Sequence, residues 1–383
     1  MKIQQFYDKN LSHASYAILS ENKVALVDPG RDPEQYYKFA KDHNAEIIYV
    51  LETHPHADFV SSHLEIKNET NANIYINELA GPTYDFKPFN HNDTLTLGRL
   101  TIQALHTPGH SPDSNSYLIT NPETKKQVLF TGDFLFIGDV GRPDLRENVG
   151  NTQEARKDLA EAMYTSVTSI LPMLDDDVII YPAHGAGSLC GKNLSKELFD
   201  TLGNQRRSNW ALQEDISKEN FVNTLLHDQP FIPKYFTHCV DVNRNGALNF
   251  QKQMKDKNIS YDSLAEEPSS LIIDTRSSEA FRSGSYNKAL NIPAGDSDTF
   301  ETWLGSIVAP DEKFILIVES EESAHKIYGR IQKIGYEKNV QGYYIADTKL
   351  IDTNVLPVIS DIQNHHEYLF LDIRQENEHL ENK

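Results

Sequence analysis

Thr53-His54-Pro55-His56-Ala57-Asp58-Phe59 is the stretch on which the fold and chemistry of this chain turn, with His63 a few residues further on. It follows Ala45-Glu46-Ile47-Ile48-Tyr49-Val50-Leu51, an apolar run rich in β-branched residues that reads as a strand buried on both faces. Two imidazoles and a carboxylate therefore leave the end of a rigid strand together. A metal ion needs ligands held to within about half an ångström, and strand ends hold them better than free loops.

The rest of the chain supplies partners in the same way. His110 lies in His106-Thr107-Pro108-Gly109-His110, a turn after the strand-like Leu100-Thr101-Ile102-Gln103-Ala104-Leu105. Asp133 closes Val128-Leu129-Phe130-Thr131-Gly132-Asp133, and His184 closes Val178-Ile179-Ile180-Tyr181-Pro182-Ala183-His184. A lone histidine after a strand is an ordinary surface or core residue. Four strand ends that each deliver a nitrogen or a carboxylate point to a metal site. His63, His91 and His106 lack a strand-end setting with a matched partner and read as structural.

His54, His56, Asp58, His110, Asp133 and His184 resemble the metallo-β-lactamase superfamily pattern of His-x-His-x-Asp-His, a distant His, a distant Asp and a last His. The resemblance spans roughly the first 240 residues. It implies an α/β fold, the superfamily's αβ/βα sandwich, with the metal site on one edge of two sheets. One position departs from the pattern. Where the superfamily's hydrolases carry the second residue of the Asp-His pair, this chain has Phe59.

Length and composition set the frame. The 383 residues exceed one ordinary domain and suggest two or three. Thirty-six basic against 56 acidic side chains give a formal charge of −20, which disfavours nucleic acid and anionic membrane surfaces as partners. The first ten residues have no apolar core of signal-peptide length, and no stretch approaches the ~20 apolar residues of a membrane span, so the cytoplasm is the expected compartment. Cys190 and Cys239 are too few for a disulfide framework or a cysteine-rich zinc module.

Ser15-Tyr16-Ala17-Ile18-Leu19 and Lys23-Val24-Ala25-Leu26-Val27-Asp28 read as strands joined by a polar turn, with Asp28-Pro29-Gly30 ending the second. Residues Glu34 to Lys41 have helical spacing, and strand and helix alternate as far as His184. Gly138-Asp139-Val140-Gly141-Arg142-Pro143-Asp144-Leu145 reads as a turn leading to a helix that Thr152 could cap. It also resembles the loop that persulfide dioxygenases carry after the metal-binding Asp, which implies a place for Arg142 at the substrate. Gly185-Ala186-Gly187-Ser188-Leu189-Cys190-Gly191-Lys192 fails the phosphate-loop pattern at Ala186 and Asn193. Around Gly187 it could offer backbone N–H groups to an anionic substrate, and it brings Cys190 near the metal; the alternative for Cys190 is a small buried filler.

Residues 241–267 are polar and read as an exit segment and linker from the domain of residues 1–240. Leu271-Ile272-Ile273-Asp274-Thr275-Arg276, Ala289-Leu290-Asn291-Ile292-Pro293, Phe314-Ile315-Leu316-Ile317-Val318 and Ile334-Gly335-Tyr336 resemble a rhodanese domain over 268–350. A working rhodanese places its sulfur-carrying Cys after the strand that Phe314–Val318 would form. Here that position is Glu319, followed by Ser320, Glu321 and Glu322, so the domain is expected to be catalytically inactive. Leu369-Phe370-Leu371-Asp372-Ile373-Arg374 echoes the opening of that domain about 98 positions later. Residues 351–383 are thus expected to be a linker and the truncated start of a second rhodanese.

In the superfamily's two-metal hydrolases, the pattern would give one ion His54, His56 and His110. The other would take Asp58, His184 and the residue at 59, with Asp133 bridging, and Phe59 weakens that second set. His54, His110 and Asp133 can make a two-His-one-carboxylate face of the kind used by non-haem Fe(II) oxygenases; zinc has no redox chemistry of its own. The fused sulfur-handling domain favours iron. The resemblance to persulfide dioxygenases implies one Fe(II) per chain, a small thiol persulfide and O2 as substrates, and sulfite and thiol as products. His56, Asp58 and His184 would orient water and line the pocket, and His56 could complete a fourth ligation. A homo-oligomer is the expected assembly. Two alternatives stand beside this reading: a thioester hydrolase of the glyoxalase II kind using metal-bound hydroxide, and a non-enzymatic interaction scaffold.

Overall fold

The computed structural model describes residues 1–145, 152–254, 257–266, 270–286, 289–347 and 350. The side chain of Thr152, expected as a cap, and all of residues 351–383, with the expected second rhodanese start, lie outside the described residues.

The first sheet holds β1 (Lys2–Asp8), β2 (His13–Ser20), β3 (Lys23–Val27), β4 (Glu46–Leu51), β5 (Asn73–Ile76) and β6 (Lys87–Pro88) in that order. β1, β2 and β3 pair antiparallel, and β3 to β6 pair parallel. The second sheet holds β7 (Thr94–Leu97), β8 (Leu100–His106), β9 (Asn115–Thr120), β10 (Gln127–Gly132), β11 (Ile179–Pro182) and β12 (Asp200–Thr201). Only its β10–β11 pair is parallel.

Side-chain alternation along these strands builds a layered sandwich. Tyr16, Ile18, Ala25, Val27 and Leu51 point inward and share one cluster with Ile102, Tyr117, Ile119 and Phe130 of the second sheet. Their neighbours Ala17, Val24, Leu26 and Val50 point outward, onto helices Glu34–Asp42 and His63–Thr70 through Tyr36, Phe39 and Ile66. The second sheet is covered by helices Thr152–Ile170 and Lys218–Leu226 through Met163, Val167, Phe221 and Leu225. Helix, sheet, sheet and helix follow one another, as the expected αβ/βα sandwich requires.

A third, all-parallel sheet of β13 (Leu271–Asp274), β14 (Leu290–Asn291), β15 (Phe314–Val318) and β16 (Val340–Ile345) is ordered β14-β13-β15-β16. It does not hang on a free linker. Residues 241–245 complete the helix Tyr235–Asn245, Tyr261–Glu266 forms another, and Lys257 and Ile259 exchange backbone hydrogen bonds with Tyr343 of β16. The polar composition of this segment reflects its solvent side. Its inner side is structured by the same pairing rules as a sheet edge.

One buried cluster joins this unit to the sandwich. Ala57, Val60, Phe136 and Cys190 pack in it with Phe236, Cys239, Phe300, Leu304 and Ile334.

Candidate metal centre

The metal-type side chains converge because the strands that carry them end on one edge of the sandwich. β4 releases the chain at Leu51, and Asp28, just past β3, captures the turn: Thr53 donates to it from its backbone N–H (2.7 Å) and its hydroxyl (2.8 Å). β10 reaches the same place through Gly132, whose φ is +53° and where a Cβ would stand 2.5 Å from Thr53 Oγ1. Only glycine fits both the backbone and the gap. Gly141 serves the loop after Asp133 likewise, since a Cβ there would collide with the Asp133 carbonyl.

Hydrogen bonds around the rings fix their tautomers. The single Thr53 hydroxyl proton goes to Asp28, so at the 3.0 Å contact between Thr53 Oγ1 and His54 Nδ1 the imidazole is the donor. His110 Nδ1 lies 2.9 Å from the Arg142 carbonyl, which can only accept. Both rings therefore turn a lone pair at Nε2 toward Asp133 Oδ2, at 4.0 Å for His54 and 3.6 Å for His110. Two lone pairs and a carboxylate oxygen facing one another underground repel unless a cation lies between them. The donor set thus fits a divalent metal held by His54, His110 and Asp133.

A second trio adjoins the first. His184 Nε2 stands 3.4 Å from Asp133 Oδ1 and 3.4 Å from Asp58 Oδ2, and neither ring nitrogen of His184 makes a hydrogen bond. Asp58 and His184 also group with Cys190, and His56 groups with Asp133 and His184. His56 itself leans on Asp28, with Nε2 at 3.2 Å from Oδ1. Burial alone would lower its pKa, but the charge and hydrogen bond of Asp28, helped by Asp133 and Asp58, raise it to about 9.

Phe59 stands at the position where the superfamily pattern carries a further His. Its ring centroid lies 3.8 Å from that of His13 and 4.4 Å from that of His56, and it is 1% exposed. A hydrocarbon ring there brings no ligand atom to the Asp58–His184 side.

Several expected residues lie where the sequence put them, and others do different work. Arg142 corrects an expectation: it is not presented to a substrate. Nε and Nη2 donate to both oxygens of Asp144 (2.6 and 2.7 Å), Nη1 donates to the Leu189 carbonyl and Nη2 also to that of Pro230. This buried guanidinium ties the loop after Asp133 to the loop of Cys190, and its own carbonyl steers His110. Gly187 has φ +104° and lies against Ser12, while the N–H groups of Gly185, Ala186, Ser188 and Cys190 are taken within the fold. The expected backbone cradle for an anion is therefore not formed by those groups. Cys190 is buried beside Asp58 and Asp133, and burial, followed by the charges of those two carboxylates, pushes its thiol pKa well up. His63 sits 3.7 Å from Glu52 and against Tyr84; the His106 backbone N–H donates to His91 Nδ1, and His106 Nε2 donates to the Pro112 carbonyl. Glu319 follows β15, just before Ser320, which caps the helix Glu321–Gln332.

The sequence reading missed Asp28, His13 and Asn243. Asp28 closes a strand as Asp133 does, and that shared pattern was a usable signal. His13 reaches the site because β2 pairs past its end with the chain around Ala183, and Asn243 because its helix crosses the metal loop, donating to the carbonyls of His56 (2.9 Å) and Phe59 (2.8 Å). Neither carries a local sequence mark.

Comparison with known proteins agrees with this geometry. The metallo-beta-lactamase superfamily profile matches residues 9–184. A cytoplasmic hydroxyacylglutathione hydrolase of Arabidopsis thaliana is 31% identical over 207 residues, covering 52% of this chain and 74% of that protein. The chain belongs to the metallo-beta-lactamase superfamily. The crystal structure of a metallo-beta-lactamase from Staphylococcus aureus matches with a TM-score of 0.82 and 33% identity over 90% of this chain and 99% of that one. That share is larger than the two stacked sheets can supply, so the likeness includes the third sheet. ETHE1 from Myxococcus xanthus matches with a TM-score of 0.54 and 26% identity, over 64% of this chain and 98% of its own. Among the described residues, no helix is long and apolar enough to cross a membrane.

Proposed function

We propose that this chain is a mononuclear non-haem iron dioxygenase that oxidises a small thiol persulfide. The observation that carries the reading is Phe59: an apolar ring packed between His13 and His56 stands where a second metal would need a ligand. What remains intact is the face of His54, His110 and Asp133. A ferrous ion held there would supply the dioxygen chemistry that zinc lacks.

The chain's own groups then have distinct tasks. His54 and His110 are locked by Thr53 and the Arg142 carbonyl, so their ligand nitrogens need no rearrangement. His184 and Asp58, 3.4 Å apart, form a pair able to hold and pass a proton next to the reacting sulfur and to orient water for the hydrolytic half of the reaction. His56, held charged by Asp28, adds a positive field that favours an anionic persulfide. The balance is one persulfide, one O2 and one water giving thiol, sulfite and two protons. We read residues 268–350 as a rhodanese-like unit without a sulfur carrier, because Glu319 occupies the position of the Cys. Sulfite is accordingly the main product, and any thiosulfate depends on Cys190.

A thioester hydrolase is the second reading, favoured by the likeness to the Arabidopsis hydroxyacylglutathione hydrolase. Oxygen uptake with glutathione persulfide, run beside hydrolysis of S-lactoylglutathione, separates the two. The dioxygenase reading expects uptake of one O2 per sulfite formed and negligible thioester turnover; thioester turnover without uptake overturns it.

A further inference from the structure

A cavity of about 290 Å³ lies between the sandwich and the C-terminal unit, outside the cluster just described. Its size is at the lower end of small-molecule sites, roughly 300–1,000 Å³, and suits a compact ligand. The sandwich contributes Arg31, and the helix Glu321–Gln332 with the residue after it contributes Lys326, Arg330 and Lys333. Asp8 and Asp32 are the acidic residues on its wall, and Glu65, Glu301 and Glu322 pair with its basic groups.

The basic groups are held in place. Arg330 spends its N–H groups on both oxygens of Glu301 (2.9 and 2.6 Å) and on the carbonyls of Ala294, Gly295 and Asp298; Lys333 sits 2.5 Å from Asp8 and 3.3 Å from Glu301, and Lys326 lies 3.1 Å from Glu322. Arg31 is 3% exposed, lies 3.5 Å from Glu65 and donates to the Leu248 carbonyl, yet its Nε has no hydrogen-bond partner. His13, equally buried, also lines the cavity. A buried guanidinium N–H of this kind calls for an acceptor, and the best acceptor beside it is an oxyanion.

We propose that this cavity is an oxyanion-binding site, and that holding this anion is the task of a C-terminal unit that carries no sulfur-bearing cysteine. Through His13, stacked on Phe59 and 5.6 Å in ring centroids from His184, an occupant would sit one side chain away from the metal centre. The chemistry recognised is a phosphate, carboxylate or sulfur oxyanion group, either free or as the anionic end of a larger thiol.

Calorimetric titration of inorganic phosphate into the metal-loaded full chain tests this. One phosphate per chain is expected. Lys326→Glu, whose side chain is largely in solvent, is expected to weaken binding roughly tenfold, and Arg31→Gln more strongly. His110→Ala, designed to lose the metal, is expected to bind phosphate unchanged, which separates this site from an anion on the metal. S-Methylglutathione as competitor distinguishes the sources: displacement of phosphate assigns the site to a thiol's anionic end, and no displacement assigns it to a free ion. Absence of binding, binding indifferent to Lys326→Glu and Arg31→Gln, or binding lost in His110→Ala overturns the proposal.

Discussion

Two sets of strand ends in this molecule look alike in sequence and differ in how their polar groups are met. β4, β10 and β11 lead into Thr53-His54, Asp133 and His184, which converge at 3.4–4.0 Å, and neither the Asp133 oxygens nor the His184 ring nitrogens make a hydrogen bond. β13 and β15 end in Asp274 and Glu319. Asp274 is gripped by Arg276 at 2.7 and 3.0 Å and by the Ser285 hydroxyl at 2.6 Å, and beyond Glu319 the Ser320–Ser323 capping box closes the helix. A buried polar group that is satisfied within the fold serves stability, and one that is not points to a ligand. Charge environment separates the two buried histidines of the metal loop: His56, beside Asp28, is held charged, whereas burial keeps His63 neutral.

The largest effect that can break this contrast lies at the centre. His110→Ala or Asp133→Ala should abolish metal retention and turnover together, because each removes one of the three proposed ligands. His184→Ala should keep most of the metal and lose turnover by two or more orders of magnitude, roughly what an acid–base group contributes. Metal content by elemental analysis, measured with oxygen uptake, checks both. If His184→Ala empties the site and His110→Ala does not, ligand and proton-handling roles are exchanged.

Arg142 tests the satisfied side of the contrast within the same loop. Arg142→Ala leaves Asp144 buried without its partner, and should cost about 3–5 kcal/mol in urea unfolding. A cost below about 1 kcal/mol would mean that Arg142 does not organise this loop.

This residue also shows what the sequence could and could not convey. Strand ends, the metal-type residues and the Phe59 departure were legible because each is local: a hydrophobic run followed by one chemical group. The direction of the Arg142 side chain was not, since it depends on Pro230, 88 residues away. For the same reason Asn243 and His13 were invisible, as was the core that Ala57 and Val60 share with Phe300 and Ile334. The stretch 241–267 read as a linker because its composition is polar, whereas its backbone pairing with Tyr343 has no compositional signature.

His63 gives a smaller, pH-dependent effect. Burial, then the charges of Arg31 and His56, lower its pKa to about 3, whereas an unfolded histidine takes up its proton near 6.5. The unfolded chain therefore binds the extra proton between these values. Stability falls as pH drops below 6.5, by up to about 1.4 kcal/mol per pH unit from this group. In urea unfolding at pH 7, 6 and 5, His63→Gln should show a shallower loss on acidification than the parent, and an unchanged slope would mean that His63 is charged in the fold.

Glu319→Gln should do least, within about 0.5 kcal/mol in stability and without change in oxygen uptake, because the position is an exposed surface carboxylate. A marked loss of turnover would show that this strand end takes part in the reaction after all.

The central claim is that one metal, and a redox-active one, sits between His54, His110 and Asp133 because Phe59 removes the means of holding a second. Elemental analysis of anaerobically purified protein tests it most directly. The account predicts about one iron per chain and no tightly bound second ion. Two zinc ions per chain, accompanied by thioester hydrolysis, would contradict it.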